Sequence, residues 1–177
     1  MCSRFELRRP LAGIPARCQP RVPPPWPDAD EFRPTDRALV LGRAEGRLLS
    51  WGLRVDWDAR PLINARMETV PDKPLFRRLL GKRVLVPASA WWEWDAAKVR
   101  MRLHRADGDL MTFAGLFDGE CFVILTRAAI PAVRAVHDRM PLLVDERWLA
   151  GGAPQPVEAE IAVAADQPPA SQRDLFG

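Results

Sequence analysis

No stretch of the chain approaches the roughly 18 consecutive apolar residues that span a bilayer, which excludes a helical membrane protein. Nor does the opening run, MCSRFELRRP, contain the apolar segment that a secretory signal requires. Cysteine is scarce and odd in number. Cys2, Cys18 and Cys121 have no short pairing interval, which argues against a disulfide framework and a Cys-cluster zinc site and points to a reducing cytoplasm. Histidine is scarcer still: with His104 and His137 alone, and no HExxH spacing, neither a catalytic metal nor a cofactor is expected. At 177 residues there is room for one domain with a sizeable core but not for two enzymatic domains.

What is abundant is arginine. Of 26 basic residues only Lys73, Lys82 and Lys98 are lysines, and the guanidinium fork is the group that matches phosphate oxygens in pairs. A GC-rich genome accounts for the same bias. The charge is uneven, with 21 Lys/Arg against 14 Asp/Glu in residues 1–110 and 5 against 9 in the remainder, so one part of the molecule could face a polyanion.

Proline punctuates the chain. Eight of the 18 prolines fall in the first 34 residues, so residues 10–36 are expected to be extended loop, with regular structure from Ala38 onward. Strand-length apolar runs follow at 38–42, 47–53, 83–87, 91–95, 99–105, 110–117 and 121–126, and Asp118-Gly119 marks a tight hairpin between the last two. Helical signals are short, at 73–81, 129–136 and 145–150. The expected fold is an α+β domain, a mostly antiparallel, barrel-like β-sheet core with a few short flanking helices, over residues 1–165. Residues 166–177 are polar and proline-bearing and read as a disordered tail.

Four groups could carry chemistry. Removal of Met1 would leave Cys2 with a free α-amine and a thiol on adjacent carbons. The amine, titrating near 8, can form a Schiff base with an aldehyde, and the thiol can then close a five-membered thiazolidine. Read alone, Cys2 is also compatible with an incidental buried cysteine. The Asn64-Ala65-Arg66-Met67-Glu68-Thr69 run can orient an amine or bind phosphate, or can be a helix entry capped by Asn64. In Trp91-Trp92-Glu93-Trp94, alternation sets Glu93 opposite Trp92 and Trp94; a buried Glu93 would be a usable general acid, an exposed one would not. His137-Asp138-Arg139-Met140-Pro141 places a histidine in a loop before a proline-bearing strand. The basic face Arg100, Arg102 and His104 reads as solvated.

In this order, these groups resemble the SRAP family, the SOS-response-associated peptidase domain proteins. The likeness runs through Met1-Cys2-Ser3-Arg4-Phe5, Trp51-Gly52-Leu53, Asn64-Ala65-Arg66 with Glu68-Thr69, Leu85-Val86-Pro87-Ala88 leading to Glu93-Trp94, Phe113-Ala114-Gly115-Leu116, Leu125-Thr126 and His137-Asp138-Arg139-Met140-Pro141. The resemblance implies a sensor of abasic sites in single-stranded DNA whose N-terminal cysteine closes a thiazolidine on the ring-opened sugar. It implies Cys2 as nucleophile, Asn64 as holder of the α-amine, Glu93 as general acid/base and His137 as a proton-transfer group that also serves reversal. Arg4, Arg66 and Arg139 are expected at phosphates, with Trp57 and Thr126 at the strand. It further implies a monomer that works in the cytoplasm, at the nucleoid. The family's name keeps open a cysteine peptidase using Cys2, Asn64, Glu93 and His137, limited to its own N-terminus, and a noncovalent single-strand binder is a third reading. Two departures stand out: Ser3 replaces the usual Gly after the cysteine, and Ala90-Trp91-Trp92 replaces Gly-Phe-Tyr.

At the far end, Gln172-x-Asp174-Leu175-Phe176 looks like the short peptide by which bacterial repair proteins dock on the β sliding clamp. Leu175 and Phe176 would be the apolar anchors on a flexible tether.

Overall fold

The computed structural model describes residues 2–8 and 30–166. Most of the proline-rich segment and the motif Gln172, Asp174, Leu175 and Phe176 lie outside the described residues. The elements in chain order are β1 (Phe5–Glu6), β2 (Glu31–Phe32), β3 (Arg37–Leu41), β4 (Gly46–Trp51), β5 (Leu53–Val55), β6 (Asp58–Leu62), β7 (Asn64–Arg66), a 3-10 turn (Met67–Asp72) and α1 (Pro74–Arg77). They continue as β8 (Arg83–Ala88), β9 (Ala90–Trp94), β10 (Arg100–Arg105), β11 (Met111–Asp118), β12 (Cys121–Ala128), α2 (Pro131–Arg134), β13 (Arg139–Pro141), α3 (Arg147–Ala150) and β14 (Ile161–Ala165).

Pairing runs β11–β8–β3–β4–β12 and returns from β12 to β11, closing a five-stranded barrel. Most pairs are antiparallel; β12 is the exception, lying parallel to β4 (Cys121↔Ser50) and to β7 (Ile124↔Asn64). Closure explains why the sequence of these strands does not alternate. Consecutive residues of β3, β8 and β12 are buried because one face fills the barrel and the other is covered from outside. The expected Asp118-Gly119 hairpin forms, with Gly119 at φ 57° and Asp118 opposite Cys121.

A second sheet, in the order β14–β10–β9–β1–β2, packs against the barrel. The joint is aromatic. Phe5 on β1 stacks on Phe32 with centroids 5.0 Å apart and meets the edges of Trp51 (5.1 Å) and Phe113 (6.2 Å), while Trp91 meets Phe113 at 6.0 Å. Regular structure therefore starts well before Ala38: β1 and β2 are two residues each, too short to register as an apolar pattern, and exist because Phe5 and Phe32 are buried in this joint. Helices are shorter than the periodicity suggested, one turn each, with Pro74 and Pro131 at their starts.

The outer face of the second sheet corrects one reading. Arg100 and Arg102 do not form a freely solvated basic face: Arg100 pairs with Glu31 (2.9 Å) and Asp166 (3.1 Å), and Arg102 pairs with buried Glu6 (3.1 Å), which also holds Arg8. Among the described residues no helix is long and apolar enough to cross a membrane.

Candidate functional site

Cys2 is brought to the barrel by the short β1. Phe5 is paired with Trp91, and the Trp92 amide donates to the Arg4 carbonyl at 3.0 Å, so the chain ahead of Phe5 runs antiparallel to the second half of β9. Cys2 lies three residues ahead of β1. Its side chain is fully buried, and its thiol lies 3.7 Å from the Arg4 carbonyl.

Glu93 shares a strand face with Trp91 and is likewise buried, which settles the alternative left open by alternation alone. Burial pushes its carboxyl above the usual carboxylate range, opposed by nearby positive charge that includes His137. The Cys2 thiol is pushed far up, first by burial and then by the Glu93 carboxylate. Glu93 thus lies within electrostatic reach of both Cys2 and His137.

From the barrel side, β7 delivers Asn64. Its amide nitrogen donates to the Cys2 carbonyl at 2.7 Å, and its Oδ1 is buried with no hydrogen-bond partner among the described residues. An unmatched buried acceptor beside an N-terminal residue is suited to take a proton donor such as an amine. Asn64 is a strand residue and caps no helix; the following 3-10 turn starts after Arg66, whose side chain makes no cap.

The wall behind is a clamp. The buried Arg139 guanidinium donates to both Glu68 oxygens at 2.8 Å and to the Thr126 carbonyl at 2.9 Å, and Thr126 Oγ1 reaches back to the Ala65 carbonyl at 3.4 Å. Arg139 holds the Glu68 carboxyl down at about 2. This fork-to-fork pair ties β13 to the turn after β7. The Arg139 main-chain N–H donates to His137 Nδ1 at 3.0 Å, and Asp138 Oδ1 lies at 3.0 Å from the same nitrogen. One partner needs that nitrogen bare and the other needs it protonated, so the two contacts are alternatives.

The remaining site residues are placed differently. Arg66 is exposed beside Asn64. Arg4 pairs with Glu31 at 2.9 Å and lies 5.8 Å over the Trp94 ring. Trp57 is apart from the others, 72% exposed at the β5–β6 turn, and borders a groove of about 440 Å³ lined also by Arg54, Pro74, Leu75 and Arg78. Sequence reasoning passed over Glu6, Glu31 and Asp138 as site-forming residues, and gave Glu68 no role of its own. Glu68 carried a signal, standing in the same run as Asn64; Glu6 and Glu31 lie on two-residue strands and carried none. Among the described residues no three His, Cys, Asp or Glu side chains are grouped to hold a metal.

Solved structures share this architecture. A protein from Bordetella bronchiseptica superposes with a TM-score of 0.77 at 22% identity, over 94% of this chain and 100% of that one. A phage-related protein of the same organism gives 0.73 at 21%, over 94% and 95%. In sequence, the abasic site processing protein YoaM of Bacillus subtilis is 34% identical over 138 residues, 63% of this chain and 60% of the relative. YedK of Escherichia coli, of the same description, is 31% identical over 128 residues, 63% of this chain and 58% of its own length. The match thus spans less than two thirds of these relatives. The family pattern described as SOS response associated peptidase (SRAP) extends over residues 1–171, taking in Cys2, Asn64, Glu93 and His137 together, and the chain accordingly belongs to the SRAP family.

Proposed function

We propose that the protein processes abasic sites in single-stranded DNA by forming a covalent crosslink through Cys2, shielding the lesion. The observation that carries this reading is the pairing of Cys2 with Asn64. The amide fixes the Cys2 carbonyl while its unmatched Oδ1 is available to the α-amine that loss of Met1 would create. In this mechanism the amine attacks the ring-opened aldehyde and water leaves to give an imine. The thiol sulfur then adds to the imine carbon, its proton ending on the ring nitrogen, so the adduct weighs protein plus DNA less one water. Glu93, whose buried carboxyl holds its proton more tightly than usual, serves as the acid/base for ring opening and imine formation. His137 moves protons on the other side, including in reversal, a lyase-like step.

The relatives named as abasic site processing proteins support this assignment, as does their family's link to the SOS response. Arg66, with Arg4, would meet phosphates and Trp57 would stack on an unpaired base. Arg139, expected at a phosphate, and Thr126, expected at the strand, are buried, with the Arg139 guanidinium spent on Glu68 and Thr126, so their part would be to hold the wall along which the strand lies. The protein would act as a monomer in the cytoplasm, at the nucleoid, and the tail motif Gln172, Asp174, Leu175 and Phe176 would recruit it to the sliding clamp. A Leu175→Ala/Phe176→Ala variant that bound purified clamp as well as the parent would remove that last element.

The peptidase reading, with Cys2 cleaving residues ahead of itself, asks for a thiolate at rest. The buried thiol, with a carboxylate as neighbour, favours the opposite state. Intact mass spectrometry after incubation with an oligonucleotide containing one abasic site decides. The expected spectrum shows loss of Met1 and a heat-stable adduct, absent in Cys2→Ala and after N-terminal acetylation. An adduct that survives acetylation would overturn the mechanism.

A further inference from the structure

The barrel has a concavity at the pole away from Cys2. It is a cavity of about 300 Å³ under the β3–β4 turn, floored by Val40, Leu49, Val84, Phe117 and Leu149. Gly46 precedes the Ser50↔Cys121 pair by four residues, whereas Asn64 stands opposite Ile124, so along the barrel this turn and Asn64 are roughly 20 Å apart at ~3.3 Å per residue. The volume is that of a small-ligand pocket at the lower end of the usual range.

Its rim is cationic. Arg43, Arg47 and Arg83 line it against one carboxylate, Glu45, which lies 4.0 Å from Arg47. Arg47 is already committed to Glu120 at 3.0 Å. Arg83 and Arg43 have no carboxylate partner among the described residues and are held by main-chain carbonyls. Arg83 donates to Leu80, Trp148 and Gly152 and lies 4.0 Å over the Trp148 ring. Among the described residues Arg43 spends only its Nε, on Leu149, which leaves both terminal amino groups of its fork for an anion. Holding Arg83 under the α3 end is a structural task, but it does not explain why an open apolar pocket lies beside two guanidinium groups that no acid among the described residues neutralises.

We infer that this pole binds a small amphipathic carboxylate, its chain on the Val40–Leu49–Phe117 floor and its head group in the Arg43 fork. An alkanoate of about eight carbons has the right chemistry: a body that gains by leaving water and a planar anion that a guanidinium meets with two parallel hydrogen bonds. The site is independent of the DNA reaction, so neither proposal stands or falls with the other.

Calorimetric titration of the full chain with hexanoate, heptanoate and octanoate tests it, with 1-octanol as the uncharged control. Affinity should tighten about fourfold per added methylene, the measure of burial in an apolar cavity. Octanol should bind at least tenfold more weakly than octanoate. Arg43→Gln, an exposed position, should cost octanoate at least tenfold and leave octanol unchanged. Gly81 lines the cavity, and an added Cβ there meets no atom within 4 Å, so Gly81→Leu should fold normally and abolish binding of both. No binding of octanoate, equal binding of octanol, or an Arg43→Gln variant that binds like the parent would each overturn the inference.

Discussion

Replacing Glu68 with Gln is the most informative change in the wall of the site. It keeps the shape and one acceptor oxygen but removes the charge that Arg139 grips at 2.8 Å through both nitrogens. A carboxyl held at about 2 instead of 4.5 corresponds at face value to about 3 kcal/mol. Glu68 is half exposed, so solvent screening brings this to about 1 kcal/mol. The arginine is only 9% exposed and a neutral amide compensates its charge less well than the carboxylate, which adds about 1 kcal/mol for a poorly compensated buried cation. The expected loss at neutral pH is therefore about 1–2 kcal/mol, read by urea unfolding. Because the folded-state pKa is depressed, the contribution is complete above about pH 4.5 and disappears as pH falls toward 2. Parent and variant should thus converge in acid. Crosslinking should also slow, since the Arg139 main chain holds His137. A difference below 0.5 kcal/mol at pH 7, or one that does not shrink between pH 5 and 2.5, would refute the reasoning.

Three further outcomes are expected. Glu93→Gln should lower crosslinking about 10²-fold, and it should not destabilise the fold at pH 8: the raised carboxyl pKa means burial penalises the charged form, so the neutral amide should melt at or above the parent, with the advantage fading as pH falls through the folded-state pKa. Gly115→Ala places a Cβ 2.9 Å from Val84 Cγ2 and 3.2 Å from Val86 Cγ2 inside the barrel, and should cost about 1–3 kcal/mol by calorimetry. Arg54→Ala/Arg77→Ala should weaken binding to an oligonucleotide carrying a tetrahydrofuran in place of the abasic sugar, and should flatten the salt dependence of its affinity by about 0.7 per lost phosphate contact in anisotropy titrations.

The barrel was legible in the sequence because its strands are long and continuously apolar, and the Asp118-Gly119 turn marked its tightest corner. Asn64, Glu93 and His137 each kept an ordinary alternative when read alone, a helix cap, an exposed strand carboxylate and a loop histidine, and became site candidates together only through the resemblance to the SRAP family. What could not be read was compensation. Whether Glu93 was buried depended on which sheet face met the barrel, and that was fixed by Phe5 and Phe32 on strands of two residues. The basic stripe of β10 looked solvated because its partners, Glu6 and Glu31, are distant in sequence. Ion pairs across a sheet leave no local periodicity.

That same point decides what the arginine excess means. Counted along the chain, the basic first part suggests a broad polyanion-binding surface, but most of its described arginines are paired with acids or main-chain carbonyls of the fold. Arg8 and Arg102 hold Glu6, Arg4 and Arg100 hold Glu31, and Arg83 closes the α3 end with main-chain carbonyls. Later in the chain Arg139 holds Glu68 in the same way. Arg33, Arg43, Arg54, Arg66, Lys73, Arg77, Lys98 and Arg134 are exposed and have no carboxylate within ion-pair distance among the described residues, and four of them, Arg54, Arg66, Lys73 and Arg77, fall in one stretch that also carries Asn64 and the exposed Trp57. A phosphate backbone is attracted by charge that is not already neutralised, and by little else at the range where encounter begins. The densest run of unpaired charge among the described residues is therefore on the β5–β7 and α1 side of the barrel, the side on which Asn64 reaches the Cys2 carbonyl, and a strand would be drawn there in preference to the second sheet, where Glu6 and Glu31 hold Arg4, Arg8, Arg100 and Arg102.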